Sequence, residues 1–355
     1  MKKVLKIILI ILGVIILAAA ALLAWLTITE FDPEPVEELA VQGAAGWNSP
    51  KLGEEIDIMS WNIGYAGLGK DEDFFMDGGK MSRPNSKETV EKYLRGIYQT
   101  AYSEKYNFDI VLMQEVDTDA HRTYGIDEVE YLGVDAFTYA LNYSCDFVPI
   151  PIPPIGKVHT GIMTQSTYLV EAAKRVSLPC PFAWPVRTAN LKRCLMATYI
   201  PIEDSDKQLV IVNLHLEAYD NGEGKIAQTK VLREFILSEY EKGTYVIAGG
   251  DFNQTFPGAL DLYPIKNPEL WTPGVLTFDI MPEGWQLIND SSTPTCRLLN
   301  QPYDPTDEVN TQYYVIDGYI VSPNVTVESV ETLDIGFEYS DHNPVGIKVI
   351  LDPDA

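Results

Sequence analysis

The residues of this 355-residue chain that could do chemistry sit at the ends of apolar runs. Asn62 closes "IMSWN", Gln114 and Glu115 close "IVLMQE", and Asn213 and His215 lie in "IVNLH". Asp251 and Asn253 follow "VIAGG", Asp317 lies in "YVIDGYIV", and Asp341 and His342 stand just before "VGIKVI". An Asn or Asp after a strand is ordinarily a turn residue, so no one of these positions means much alone. The same ligand-type chemistry at every ending means more, and two of the chain's 4 histidines are placed there.

The set consists of carboxylates, side-chain amides and imidazoles. It offers no Ser or Cys placed for activation as a nucleophile, no glycine-rich phosphate loop and no "HExxH" or paired-cysteine zinc motif. Carboxylate and amide oxygens suit Mg²⁺, Mn²⁺ or Ca²⁺. Such a cation polarises a phosphoryl oxygen and stabilises a leaving oxygen, while histidine exchanges a proton near neutral pH. The chemistry that fits is metal-assisted attack of water on a phosphate ester.

These groups need rigid elements behind them. "IDIMSWNI", "FDIVLMQEV", "GIMTQSTYLV", "RCLMATYIPI", "QLVIVNLHL", "TYVIAGGDF" and "YYVIDGYIVS" are short and rich in Val, Ile and aromatics, as strands are. "ETVEKYLRGIYQTAYSEKY" and "KIAQTKVLREFILSEYEKG" carry apolar residues at helical spacing, the second with Gly243 as a stop. The mixture predicts an α/β domain. "VPIPIPPIG" and the stretch from Phe256 to Pro294 read as surface loops.

Composition is globular, with 46% hydrophobic residues, and the formal net charge is −25. Such a chain repels polyanions unless bound cations reverse the field, which argues against nucleic acid as the partner without excluding it. Residues 1–30 stand apart. Lys2, Lys3 and Lys6 precede an apolar run that meets no charge before Glu30. About 20 apolar residues span a bilayer, and the run is longer than the core of a cleaved signal. An uncleaved anchor is expected, with the lysines on the cytoplasmic side and the body outside. Residues 31–54, with their prolines and acids, read as a tether, which leaves residues 55–355 as the body. Cys145, Cys180, Cys194 and Cys296 lack zinc-site spacing and are either paired or buried thiols.

Taken in order, "SWNIG", "MQEVD", "VNLHLE", "GGDFN", "IDGYIVS" and "SDHNPV" resemble the endonuclease/exonuclease/phosphatase family, over about Ile56 to Leu351. The resemblance implies a four-layer sandwich, two mixed β-sheets face to face with helices outside, preceded here by one transmembrane helix. It implies that Asn62 and Glu115 bind Mg²⁺ (or Mn²⁺ or Ca²⁺), with Asp341 a further ligand or the orienter of its water. His342 would contact the phosphate or take a proton, with Asp317 fixing its tautomer. Asp251 would orient or deprotonate the attacking water, Asn253 would hold a phosphate oxygen, and His215 matches a histidine of the deoxyribonuclease and sphingomyelinase branches. Arg122, Arg193 and His159 are expected to touch substrate.

The expected activity is a membrane-tethered phosphoesterase, single-pass in the cell membrane. Its substrate is a lipid head group, a small ester or, less in keeping with the charge, nucleic acid. The alternatives are an extracellular nuclease and a scaffold that keeps the fold without catalysis.

Overall fold

The computed structural model describes residues 2–43, 46–103 and 105–353; residues 44 and 45 of the expected tether and the last two residues of the expected body lie outside the described residues. In chain order the long strands are β1 (Val36–Leu39), β2 (Glu55–Asn62), β3 (Ile110–Asp117), β4 (Ala136–Val148), β5 (Gly156–Ser166), β6 (Ala172–Ser177), β7 (Cys194–Pro201), β8 (Gln208–His215) and β9 (Tyr245–Asp251). Gln286–Ile288, Asp317–Val321, Val325–Thr332 and Val345–Leu351 complete the sheets. The helices that matter here are α1 (Lys2–Ile28), α2 (Lys87–Ala101), α3 (Glu128–Leu132) and α4 (Glu223–Tyr240).

The central strands read as continuous apolar runs because both of their faces are covered. Ile56 and Ile58 of β2 face the opposing sheet, while Met59 and Trp61 face α2. One sheet has 6 strands in the order Val325–Thr332, Val345–Leu351, β2, β3, β5, β4. The other has 7, in the order β1, β6, β7, β8, β9, Asp317–Val321, Gln286–Ile288. Each is mixed: β2–β3 and β8–β9 are parallel pairs, and the remaining pairs are antiparallel. Ile110, Leu112, Ile211, Ile247 and Ile347 fill the space between the sheets. Polar clamps cross it as well. The Tyr319 hydroxyl donates to the Ile58 and Val345 carbonyls at 3.2 and 2.7 Å. The Gln114 amide donates to Asn213 Oδ1 at 2.9 Å. Gln114 and Asn213 are therefore joints between the sheets.

A helix covers each outer face. Ser86 caps α2 by accepting from the Thr89 amide at 3.2 Å. Val90, Tyr93, Leu94, Ile97 and Ala101 then recur on one buried face. Leu232 and Ile236 of α4 pack on the second sheet, and Gly243 adopts φ +86° three residues beyond its end. The result is the expected α–β–β–α layering.

The expected tether runs along the body. Its β1 pairs antiparallel with β6, and Glu38 and Glu37 lie 3.4 and 3.7 Å from Lys174 and Arg175. Helix α1 is long and apolar enough to cross a membrane and is exposed along most of its length. Its last turns are docked: Leu22 and Leu26 pack against Tyr143, Cys145 and Val158. Trp184 Nε1 donates to Thr27 Oγ1 at 3.1 Å, and Lys192 Nζ to Glu30 Oε1 at 2.8 Å. The four cysteines are free, with Cys145, Cys194 and Cys296 buried.

Candidate active site

In a parallel β–α–β unit both strands end on the same side, so their last residues meet. Asn62 and Glu115 are delivered in this way from β2 and β3, and His215 and Asp251 from β8 and β9. Asp317 opens the strand antiparallel to β9 and lies in register with Asp251. Asp341 and His342 precede Val345–Leu351, which pairs with β2.

Two of these side chains depend on unusual backbone. β3 gains one residue against β5 between Met113 and Val116, and the bulge turns Glu115 into the cleft at φ +55°. Asn253 has φ +51° and donates from its own amide N–H to Asp251 Oδ1 at 2.8 Å. Such conformations cost about 1–3 kcal/mol each and concentrate at functional sites.

The polar contacts form one connected set. Asn62 Nδ2 donates to Glu115 Oε1 at 3.1 Å and to Asp251 Oδ2 at 3.0 Å. His342 Nδ1 is 2.9 Å from Asp317 Oδ2, so Asp317 holds the proton on that nitrogen and leaves Nε2 facing the site. That Nε2 is 3.8 Å from Asp251 Oδ2 and 4.0 Å from Asp341 Oδ2. His215 Nε2 reaches the same Asp251 oxygen at 3.5 Å. Asn253 Nδ2 donates to the Leu216 carbonyl at 2.9 Å, which fixes the side chain beside Asp251.

Burial sets the charges. It pushes the Asp341 carboxyl up to about 7, opposed by His342 and reinforced by Glu115. Burial, with Asp317 nearby, also raises Asp251. His342 is raised well above the ordinary imidazole value: burial opposes its charging, but Asp317 first and then Cys296 and Asp341 together outweigh it. His215 moves the other way, through burial first and then Arg193 and His342.

This balance suits a hard cation. Among the described residues no Lys or Arg side chain lies within ion-pair distance of Glu115, Asp251, Asp317 or Asp341. One imidazolium faces several carboxylates, and a buried negative excess of this kind is relieved by a divalent ion with oxygen ligands. Asp251, Asp317 and His342 approach one another closely enough to hold a metal, as do Cys296, Asp341 and His342. Cys296 makes a poor ligand, since burial pushes its thiol up to about 12.

Glu115, His215, Asp251, Asn253, Asp341 and His342 line a cleft of about 650 Å³ that also holds Arg122 and Arg193, with Asn62 and Asp317 bonded behind them. Both arginines are already engaged. Arg122 is forked onto Asp117 at 2.8 and 2.9 Å and lies 3.5 Å over the Tyr65 ring. Arg193 donates to Glu217 at 3.4 Å and to the His215 carbonyl at 3.2 Å. The structure does not bring His159 to the cleft. Val158 and Thr160 of β5 line it, so strand alternation turns His159 to the other face, 3.9 Å from Asp146. The cleft also contains Asp77, Tyr219 and Trp271, which the sequence did not single out. Tyr219 donates to Asp77 Oδ1 at 2.8 Å, and the Trp271 ring lies 6.4 Å from that of Tyr219, tilted by 58°. All three come from loops without periodicity, so no local signal marked them.

No family model and no curated protein sequence matches the chain. Solved structures do. An endonuclease/exonuclease/phosphatase from Beutenbergia cavernae superposes with TM-score 0.54 at 17% identity, over 84% of this chain and 72% of that one. Endonuclease/exonuclease/phosphatase family proteins from Leptotrichia buccalis and Bacteroides thetaiotaomicron give TM-scores of 0.51 and 0.50, each at 15% identity. They cover 83% of this chain and 99% of that one, and 84% and 98%, respectively. The chain has the fold of the endonuclease/exonuclease/phosphatase family.

Proposed function

We propose that this protein is a membrane-anchored, divalent-metal-dependent hydrolase of phosphate esters. The observation that carries this reading is the convergence of Glu115, His215, Asp251, Asn253, Asp341 and His342 from both sheets on one cleft, with Asn62 and Asp317 bonded behind them. A scaffold would not need Glu115 and Asn253 in costly backbone conformations, nor four acidic groups beside one imidazolium.

Glu115, Asp341 and Asn62 would hold Mg²⁺ or Mn²⁺, which when bound supplies charge stabilisation to the phosphoryl oxygens. The rest is the work of the chain's own groups. Asp251, raised by burial, accepts a proton from the attacking water. The water oxygen bonds to phosphorus as the ester P–O bond breaks, giving a phosphate and a leaving oxygen that takes a proton from solvent to depart as an alcohol. His342, held protonated by Asp317, presents Nε2 to the charge that develops on the phosphoryl group. Asn253 is placed to donate to a phosphate oxygen. The lysines in the first turns of α1 and the acids after it support a cytoplasmic N-terminus and a catalytic body outside the membrane.

The test is an activity screen of the full chain with Mg²⁺ or Mn²⁺, with and without EDTA. Bis(p-nitrophenyl) phosphate, small phosphomonoesters, phospholipids and plasmid DNA serve as substrates. Chelator-sensitive release of phosphate or alcohol from at least one of them is expected. A folded protein inert toward all of them returns the scaffold reading. For topology, a protease added to intact cells should reach the body, and protection until lysis would reverse the orientation.

A further inference from the structure

The catalytic cleft does not stop at the catalytic groups. It continues to Leu23 and Leu26 of α1, the helix that is apolar enough to cross a bilayer. Counting ~20 residues from the last lysine of that helix, Lys6, places the far edge of the hydrocarbon layer near Leu26. The mouth of the cleft therefore opens at the membrane boundary. Trp25 and Trp184 lie beside it, the latter bonded to Thr27, where aromatic residues mark the interface.

Four segments build the apolar part. Leu23 and Leu26 come from α1, Val148 and Val158 from β4 and β5, and Val186 and Leu191 from the segment before β7. Exposed apolar residues stand on the lining or within two residues of it: Ile150 (67% exposed) and Val186 (56%) line the cleft, and Ile152 (93%) and Trp184 (54%) are their near neighbours in the chain. An aqueous loop carries such residues at a cost, whereas a loop dipped in lipid does not.

Between the apolar wall and the carboxylates lies a belt of buried hydroxyls. Tyr143 packs with Leu26 and Val158 and pairs in register with Thr160. Tyr65 lies under Arg122, next to Glu115 and Asp341. Among the described residues the Tyr143 and Tyr65 hydroxyls and Thr160 Oγ1 have no hydrogen-bond partner, although each residue is more than nine-tenths buried. Buried polar atoms of this kind are ordinarily satisfied. Their position, all lining one cleft, points to a polar group of a ligand as the missing partner.

We propose that the substrate is an amphiphilic phosphate ester drawn from the bilayer that holds α1. Its alkyl chains lie along the wall of Leu23, Leu26, Val158 and Val186. Its linking ester or amide groups meet the hydroxyls of Tyr143, Thr160 and Tyr65, and its phosphate reaches Glu115, Asp341 and His342. The sequence apolar wall, hydroxyl belt, catalytic carboxylates matches the sequence chain, linkage, phosphate of a membrane phospholipid. This rests on the phosphoesterase reading above and names its substrate class.

The experiment uses the full chain in detergent micelles containing dioleoyl-phosphatidylethanolamine, -phosphatidylglycerol or phosphatidic acid. Their dibutyryl homologues and bis(p-nitrophenyl) phosphate are assayed in parallel. At least one long-chain lipid should be turned over with kcat/KM at least tenfold above its short-chain homologue. In Leu26→Lys, and in Val186→Asp at an exposed position that cannot unfold the body, the ratio of long-chain to soluble-ester kcat/KM should fall tenfold or more. Tyr143→Phe should lower the same ratio by a smaller factor. Equal rates for long and short chains, or ratios unmoved by both wall variants, overturn the lipid assignment while the phosphoesterase reading stands. Absence of turnover with every substrate, the soluble esters included, sinks both.

Discussion

Two histidines of the site, His342 and His215, are each 4% exposed and lie within 4 Å of the same Asp251 oxygen, yet their environments drive them apart. His342 has Asp317 on Nδ1 at 2.9 Å, and that carboxylate, together with Cys296 and Asp341 around the ring, overrides burial. His215 has no side-chain hydrogen bond to its ring among the described residues, and Arg193 donates to its backbone carbonyl at 3.2 Å. Burial therefore wins there, and the ring stays neutral. Asp251 offers His215 little relief, because its own carboxyl is raised. Similar burial thus yields one imidazolium and one neutral imidazole, and the deciding factor is the residue behind each ring.

The largest expected effect comes from removing the charged partner. His342→Ala should lower kcat by ~10²–10⁴-fold, the range for a general acid–base group. Metal affinity, measured by titration calorimetry, should stay close to wild type, since an imidazole is a poor ligand for Mg²⁺. Unchanged turnover would remove His342 from the chemistry.

Asp317→Asn should cost less, because it leaves the ring in place and weakens only its charge and orientation. The double variant should be little worse than His342→Ala alone, since groups acting as one unit are not additive. Losses that multiply in full would show that the pair does not act together.

The comparison is sharpened by giving both rings the same replacement. Glutamine keeps a neutral hydrogen-bonding group, so it imitates a neutral imidazole better than a charged one. His342→Gln should therefore lose about tenfold more kcat than His215→Gln. Equal losses would mean that the two rings share one protonation state.

The smallest effect concerns stability. Burial pushes Asp77 up to about 6, against the hydrogen bonds from Tyr219 and the Leu299 amide. A carboxyl with a raised folded pKa favours the folded state below its unfolded value, near 4, and loses that contribution as pH rises through about 6. Asp77→Asn should consequently melt higher than wild type above pH 6, with the gain shrinking toward pH 4. Thermal melts across that range test the sign, and a gain that grows toward acid pH would refute it.

The positions of the candidate site were legible because its residues close apolar runs that both sheets bury on two sides. Asn62, His215 and Asp251 end such strands, and Glu115 sits at the bulge near the end of β3. Strand β4 was not readable. Thr138, Asn142 and Ser144 interrupt its apolar residues; it is the edge strand of its sheet, joined on its outer side only by the Gln42–Phe137 bridge among the described residues. The tether hid β1 for a related reason: "VEEL" is held by the cations of β6, more than 130 residues away. His159 was misplaced by a single position in a period of two, since its neighbours Val158 and Thr160 face the cleft. The apolar wall draws on α1, β4, β5 and the segment before β7, and no window of sequence contains it.

The central claim is that these strand ends hold a hard cation and use it on a phosphate ester. Its most direct test is hydrolysis of bis(p-nitrophenyl) phosphate measured against Mg²⁺ or Mn²⁺ concentration, for the wild type and for Glu115→Gln. The amide keeps the shape of the side chain and removes the anionic ligand a hard cation prefers. The account predicts that wild-type turnover is abolished by EDTA and restored by the metal, and that the variant needs at least about tenfold more metal for half-maximal rate. Turnover that survives EDTA, or a variant with the wild-type metal requirement, would contradict it.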